Sequence, residues 1–244
     1  MNDIVYLLIA ALAPAVLLAW YIYRQDSLQA EPVGWLLKAV GMGVCSALLT
    51  LVIVPLYSST HGSVFSMTDA FIVAFIDAAL PEEGFKLLML WLLLRRNPYF
   101  DEHLDGIVYA VCVGMGFAGF ENIIYLIGNY DDWVGVGIVR ALFSVPAHFF
   151  FAVLMGYFYS LAYFQEENKV RNVVLMFVAP VVAHGLFDAC LFMLSVMPGV
   201  AVLFAVLFLI GFNRLKKRCT ELIRIQKEKD IREGMICGND DMGV

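Results

Sequence analysis

The chain of 244 residues is 61% hydrophobic and 16% charged, and its mean hydropathy is +0.80. This composition excludes an ordinary soluble domain and is typical of a membrane protein with several spans. The formal net charge of −6 indicates little about partners. We expect contact with membrane lipid and no nucleic-acid partner.

Apolar runs of about 20 residues, the length that crosses a bilayer, predict seven membrane-spanning helices. They lie at 4–23, 33–57, 67–94, 104–127, 133–164, 170–195 and 198–212. The run 133–164 is long enough to begin as a separate interfacial helix, and the last run is short. The expected fold is an all-α bundle of about seven spans, with a membrane-embedded domain at 1–212 and a charged tail at 213–244.

The basic residues between these runs fall almost entirely on alternate sides. They are Arg24, Arg95, Arg96, Lys169, Arg171, Arg214, Lys216, Lys217 and Arg218. Because basic residues favour the cytoplasmic side, the pattern predicts an N-terminus outside the cell and a C-terminus in the cytoplasm. We interpret the charges of the tail as a solvated helix face.

Ionisable residues lie inside the predicted spans. They are Glu82, Glu83, Lys86, Glu121, His148, His184 and Asp188. An acid at the centre of a span costs roughly 2.5–3.5 kcal/mol, so we expect these groups to converge. A rise of about 1.5 Å per residue places Glu82 roughly 18 Å, and Glu121, His148, His184 and Asp188 roughly 21–27 Å, from the cytoplasmic ends of their spans. This shared layer predicts one polar site in the outer half of the membrane.

Lys86 lies one helical turn after both Glu82 and Glu83, so it can neutralise one of the two carboxylates. The other carboxylate then has the environment of a general base, although a structural ion-pair network would use the same residues. His184 and Asp188 also share a helix face, which lets the aspartate fix the tautomer of the histidine.

Prolines accompany three of these helices, because Pro81, Pro146 and Pro180 each lie within four residues of an ionisable group. A proline frees a backbone carbonyl, which in a membrane must face protein or a wet cavity. The prolines therefore favour a polar cavity. Glu121 and Tyr125 share another face, where bracing the site and direct catalysis both remain open.

Several segments resemble PrsW-type membrane proteases. They are Tyr23-Arg24-Gln25-Asp26 with Glu31-Pro32, Glu82 to Lys86, Asn97 to Tyr109, Gly116 to Tyr125, Pro146 to His148, and His184 to Asp188. Their order and spacing cover most of the chain, from the first loop to the sixth span. The resemblance implies a membrane peptidase of the superfamily that includes CAAX prenyl proteases. Bacterial members are associated with clipping membrane-anchored anti-sigma factors.

The resemblance also implies roles for individual residues. Glu82 or Glu83 would activate a water together with His148, while His184 and Asp188 would stabilise the oxyanion. The expected supporting residues are Lys86, Glu121, Asn122 and Tyr125. The expected substrate is a single-span protein of a bacterial plasma membrane, and the oligomeric state is left open.

Three alternatives accompany this interpretation. We expect metal-free chemistry, but a zinc ion held by Glu82, Glu121, His148 and His184 is the mechanistic alternative. A serine or cysteine nucleophile is disfavoured, because none has a convincing general base at the same depth. A proton-coupled transporter and a non-catalytic membrane scaffold are the alternatives from other classes.

Overall fold

The computed structural model describes residues 2–26, 29–59, 63–197, 199 and 201–240, and within them the chain is helical with no strand. This confirms the predicted all-α fold. The α-helices are α1 Asn2–Tyr23, α2 Val33–Tyr57, α3 Met67–Phe71, α4 Leu80–Leu94, α5 Asp105–Gly128, α6 Trp133–Val139, α7 Val145–Phe164, α8 Lys169–Val196 and α9 Ala201–Asp240.

Among the described residues, five helices are long and apolar enough to cross a membrane. They are Asp3–Tyr23, Val33–Tyr57, Asp105–Gly128, Tyr130–Phe164 and Lys169–Val196, and they coincide with five of the predicted spans. The predicted span 67–94 is not among them, and it carries several charged residues. The apolar part of α9 is only about 18 Å long. The chain is a multi-pass membrane protein, while the total of seven spans and the orientation of its termini stay predictions.

Helix α5 forms the centre of the bundle, with most of its length buried against α1, α2 and α7. Two glycines allow α2 and α5 to approach closely. A Cβ atom on Gly43 would lie 2.0 Å from the carbonyl oxygen of Val113, and one on Gly116 would lie 2.1 Å from that of Val40. Small residues at such crossings let two backbones touch, which fixes α5 relative to its neighbours.

Two π-helical segments precede the helices that carry Glu82 and His148. The first spans Ile72–Ala79 and the second Arg140–Ser144. Each is followed within two residues by a proline, Pro81 or Pro146, whose missing N–H and bulky ring disfavour regular α-helical bonding to the preceding turn. The stretch 133–164 is therefore one continuous helical segment with a π turn inside it. Such turns often occur at functional sites.

Helix α9 continues without a break through the predicted boundary at residue 212. One face of its tail portion packs on the bundle through Cys219, Leu222, Ile223 and Gln226. The side chains of Arg218, Arg224 and Glu228 are more than half exposed, in agreement with the expected solvated face. Residues 241–244 of the predicted tail lie outside the described residues, and the domain boundary stays a prediction.

The tail also contacts the end of the bundle at which α5 begins, which is the end that the charge bias predicts to be cytoplasmic. The carboxylate of Asp230 accepts hydrogen bonds from the backbone N–H groups of His103 and Leu104, both at 2.8 Å. These N–H groups lie directly before α5, where unpaired donors need an acceptor. Asp230 thus provides, from a distant helix, the cap that α5 lacks locally.

Candidate active site

Four helices bring the predicted site residues together. Their side chains form one connected polar cluster in an otherwise apolar bundle. The members are Glu82, Glu83 and Lys86 on α4, Glu121, Asn122 and Tyr125 on α5, His148 on α7, and His184 and Asp188 on α8. The convergence expected from their similar depths is what the structure shows.

Lys86 lies at the centre of this cluster. Its ammonium nitrogen is 2.8 Å from Oε1 of Glu83, 3.4 Å from Oε2 of Glu82 and 3.1 Å from Nδ1 of His148. The same group lies 3.8 Å from the centre of the Phe117 ring, within the range of a cation–π contact. A single cation therefore contacts both paired glutamates, with charge enough to neutralise one of them, and also fixes a histidine from another helix.

The partners of His148 define its tautomer. An ammonium group has only donors and an ionised carboxylate has only acceptors. Nδ1 must therefore accept from Lys86, and Nε2, which lies 3.0 Å from Oε2 of Glu121, must carry the hydrogen. His148 is held as a neutral ring between a lysine and a glutamate.

His184 has a different environment, because carboxylates face both of its nitrogens. Nδ1 lies 2.9 Å from Oε1 of Glu83, and Nε2 lies 3.3 Å from Oδ2 of Asp188. A doubly protonated ring donates to both carboxylates at once, whereas a neutral ring serves only one. The ring also stacks on Phe151, with 4.7 Å between the centroids, so its orientation is fixed from all sides.

Sequence reasoning missed Arg140 as a site residue. Its guanidinium donates to Oε2 of Glu121 at 2.6 Å and to Oδ1 of Asn122 at 2.5 Å, and it lies 4.0 Å from the centre of the Tyr125 ring. The signal was a lone arginine inside an apolar run, which a membrane tolerates only when it is paired. In the sequence, Arg140 falls in the first part of the run 133–164, which is long enough to begin as a separate interfacial helix.

A cavity of about 170 Å³ reaches the cluster between α2, α4 and α5. Glu82 and Glu121 line its polar side, and Thr50, Leu51 and Tyr125 are among the residues on its other walls. One water molecule fills roughly 30 Å³ of liquid, so the space accommodates several waters or a short stretch of extended peptide. Glu83 does not line this cavity. Of the two adjacent glutamates, only Glu82 is therefore accessible to a molecule in the cavity.

The cluster also has the donors of a metal site. One ligand atom each from Glu82, Glu83, His148 and His184 lies within 4.8 Å of the others. This set differs from the zinc ligands predicted from sequence, because Glu83 takes the place of Glu121. Oε2 of Glu83 is buried and has no hydrogen-bond partner within the described part of the chain. Two carboxylates and two imidazoles are ligand types that zinc accepts, so the residues present fit such an ion.

The sequence of the chain is similar to those of known membrane proteases. Residues 31–212 match the model of the family described as PrsW family intramembrane metalloprotease. Protease PrsW of Oceanobacillus iheyensis is 36% identical over 212 residues, which cover 86% of this chain and 95% of that protein. Protease PrsW of Bacillus subtilis is 34% identical over 187 residues, 76% of this chain and 83% of that protein. No solved structure matches the chain. The chain therefore belongs to the PrsW family of intramembrane proteases.

Proposed function

We propose that this protein is an endopeptidase that cleaves a single-span membrane protein with a water molecule activated at Glu82. One observation carries the proposal. A buried group of paired carboxylates, a lysine and two histidines, drawn from three helices, meets a cavity at Glu82. Neither a scaffold nor a purely structural ion-pair network requires such a group to open on a cavity.

The contacts of the two glutamates favour Glu82 as the general base. Oε1 of Glu83 contacts both Lys86 and His184 at 2.8–2.9 Å, and the Glu83 side chain is fully buried. Glu82 has only longer contacts, 3.4 Å to Lys86 and 3.9 Å to His184, and it lines the cavity. Glu82 thus has both the access and the free hydrogen-bonding capacity that a water-activating carboxylate needs.

Hydrolysis then proceeds in two proton transfers. Glu82 takes a proton from the water as its oxygen bonds to the carbonyl carbon of the substrate. His184 stays bonded to Glu83 through Nδ1, and its Nε2–H, which makes the longer contact of 3.3 Å to Asp188, turns to donate a hydrogen bond to the oxyanion that develops on the carbonyl oxygen. Glu82 finally returns its proton to the leaving amine as the C–N bond breaks. Throughout the reaction, the positive charge of Lys86 lowers the free-energy cost of burying the two carboxylates.

The family description names a metalloprotease, and the donors fit a metal. Glu82, Glu83, His148 and His184 would hold it, and the bound ion would supply a Lewis acid for the water or the substrate carbonyl. The close approach of Lys86 to three of these four residues favours the metal-free alternative, since an ammonium already supplies the positive charge there. Metal analysis combined with chelation separates the two versions.

The substrate is proposed to reach Glu82 from the lipid. Leu51, Ile124 and Tyr125 line the cavity and are each more than 40% exposed on the bundle surface. Peptide bonds in an intact helix are shielded by their hydrogen bonds, so the substrate must unwind locally to enter. The resemblance to PrsW-type proteases makes a membrane-anchored regulator of the anti-sigma-factor kind the expected substrate.

The test is cleavage of a candidate single-span substrate by purified protein in detergent. Glu82→Gln, Glu83→Gln and His148→Ala are each expected to abolish cleavage while the protein still folds. Glu228→Gln, an exposed glutamate in α9, is the matched control and should cleave at the wild-type rate. Cleavage at the wild-type rate by a variant lacking both glutamates would rule out the mechanism. Uptake into sealed vesicles without any cleavage would instead indicate a transporter.

A further inference from the structure

Arg140 has no role in the reaction described above, yet it is buried at membrane depth. Only 8% of its surface is exposed, and a lone arginine inside a membrane is costly. Its polar and ring contacts in the described structure lie within about one turn of α5, at Glu121, Asn122 and Tyr125. The arginine therefore stabilises one specific patch of α5 beside the active site.

This patch is connected directly to His148. Nη2 of Arg140 and Nε2 of His148 contact the same atom, Oε2 of Glu121, at 2.6 and 3.0 Å. Bidentate and charge-assisted hydrogen bonds of arginine have strict geometry. Arg140 also donates to Asn122 through Nε, which fixes the orientation of the guanidinium. The guanidinium in turn fixes the position of the shared Glu121 oxygen.

The π turn explains how one helix presents both residues to the same carboxylate. Arg140 and His148 are eight residues apart, which in a regular α-helix separates their directions by about 80°. In the π turn Arg140–Ser144, the N–H of Val145 bonds to the carbonyl of Arg140 five residues earlier. One extra residue is thus taken in, and the spacing acts as about seven α-helical residues, close to two full turns.

We propose that Arg140 is a positioning residue for His148. Through Glu121 it holds the imidazole with the hydrogen on Nε2 and the lone pair of Nδ1 directed at Lys86. The orientation of His148 then depends on a chain of contacts that begins eight residues earlier in the same helical segment. This role rests on the proposed function, in which cleavage needs His148, but the geometry that it predicts is measurable without any activity.

The test uses nuclear magnetic resonance of the full-length protein in detergent with ¹⁵N-labelled histidine. The chain has four histidines, and His148→Ala identifies the signal of His148. In the wild type we expect His148 as the Nε2–H tautomer. In Arg140→Gln the carboxylate of Glu121 is free to turn away, so we expect the His148 ring to reorient away from Lys86, with a mixture of tautomers and a kcat lower by on the order of 100-fold at a nearly unchanged KM. Arg140→Lys should restore part of the Nε2–H tautomer and part of the kcat, because a lysine still reaches either Glu121 or Asn122.

Two further variants keep the result decisive. Arg218→Gln removes an exposed arginine that pairs with Glu221, and it should change neither readout. If Arg140→Gln does not fold, the double variant Arg140→Gln/Glu121→Gln removes the unpaired carboxylate and is expected to fold with mixed tautomers. A single Nε2–H tautomer in either folded variant would overturn the positioning role. A wild-type tautomer as expected but no cleavage of any substrate would count against the proposed function alone.

Discussion

The ammonium nitrogen of Lys86 lies 3.1 Å from Nδ1 of His148, although the two residues are 62 positions apart in the chain. This contact joins the helix of the paired glutamates to the helix of the first histidine. Because the same ammonium also contacts Glu83 at 2.8 Å, the loss of Lys86 affects two helices at once.

Lys86→Met is expected to abolish cleavage and to destabilise the protein by about 3–5 kcal/mol, the usual cost of leaving one partner of a buried ion pair uncompensated. The double variant Lys86→Met/Glu83→Gln removes that carboxylate charge and should recover much of the stability, but no activity. Thermal unfolding in detergent and the cleavage assay measure the two effects. Equal stability of the single and double variants would contradict this account of the pair.

Gly43→Ala is expected to destabilise the bundle, because its Cβ would lie 2.0 Å from the carbonyl oxygen of Val113 and force α2 away from α5. Gly41→Ala, two residues earlier on the same helix, meets nothing within 4 Å and is the matched control. The melting temperature in detergent should fall for Gly43→Ala and stay level or rise for Gly41→Ala. An unchanged melting temperature for both would mean that α2 and α5 do not pack this closely.

Stability should fall as the pH rises toward neutrality, through a buried carboxyl between α1 and α2. Burial, reinforced by the charges of Asp26 and Asp101, raises the pKa of Glu31 to about 7, although Tyr109 donates a hydrogen bond to it. An unfolded glutamate has a pKa of about 4.3. Since the folded value is the higher one, the stabilisation is fully present below about pH 4 and is lost as the pH rises through about 7.

Melting temperatures measured from pH 5 to pH 8 check this dependence. Glu31→Gln mimics the protonated side chain and should flatten the decline, while Glu166→Gln, whose side chain is 85% exposed, should leave it unchanged. Part of the decline should persist in Glu31→Gln, because burial and neighbouring acids also raise the pKa of Glu102 to about 7. A slope identical to that of the wild type would refute the role of Glu31.

Removing the carboxylate of Asp230 is expected to loosen the tail from the bundle. Asp230→Ala leaves the N–H groups of His103 and Leu104 without their acceptor, and loss of a helix cap costs about 0.5–2 kcal/mol. Limited proteolysis should cut α9 faster in this variant than in the wild type or in Glu228→Gln. Equal digestion rates would show that the apolar face at Cys219 and Leu222 holds the tail without the cap.

The sequence predicts most of the helices and most members of the polar cluster, because both follow from local patterns. The bounds of α2 agree with the predicted run 33–57, and those of α5 differ by one residue from 104–127. Glu82, Lys86 and His184 were found because a charge inside an apolar run is conspicuous wherever it lies. Their convergence was predicted from their similar depths in the membrane.

Long-range contacts and local helix irregularities were beyond such reasoning. The partners of Arg140 lie 18 and 19 residues away on another helix, and no spacing rule connects them. The stacking of Phe151 on His184 looks, in sequence, like ordinary apolar packing. The π turns follow from prolines whose effect was recognised only as a weakening of the helix. The capping by Asp230 crosses 126 residues.

We propose above all that the cluster around Glu82 hydrolyses a peptide bond at its own depth in the membrane. The most direct measurement is mass spectrometry of the new ends of a single-span substrate after incubation with the wild type and with Glu82→Gln. The account predicts a single cut in the outer half of the substrate span or just outside it, made faster by glycine or proline nearby and absent with the variant. A cut in the cytoplasmic third of the span, or the same cut with Glu82→Gln, would contradict it.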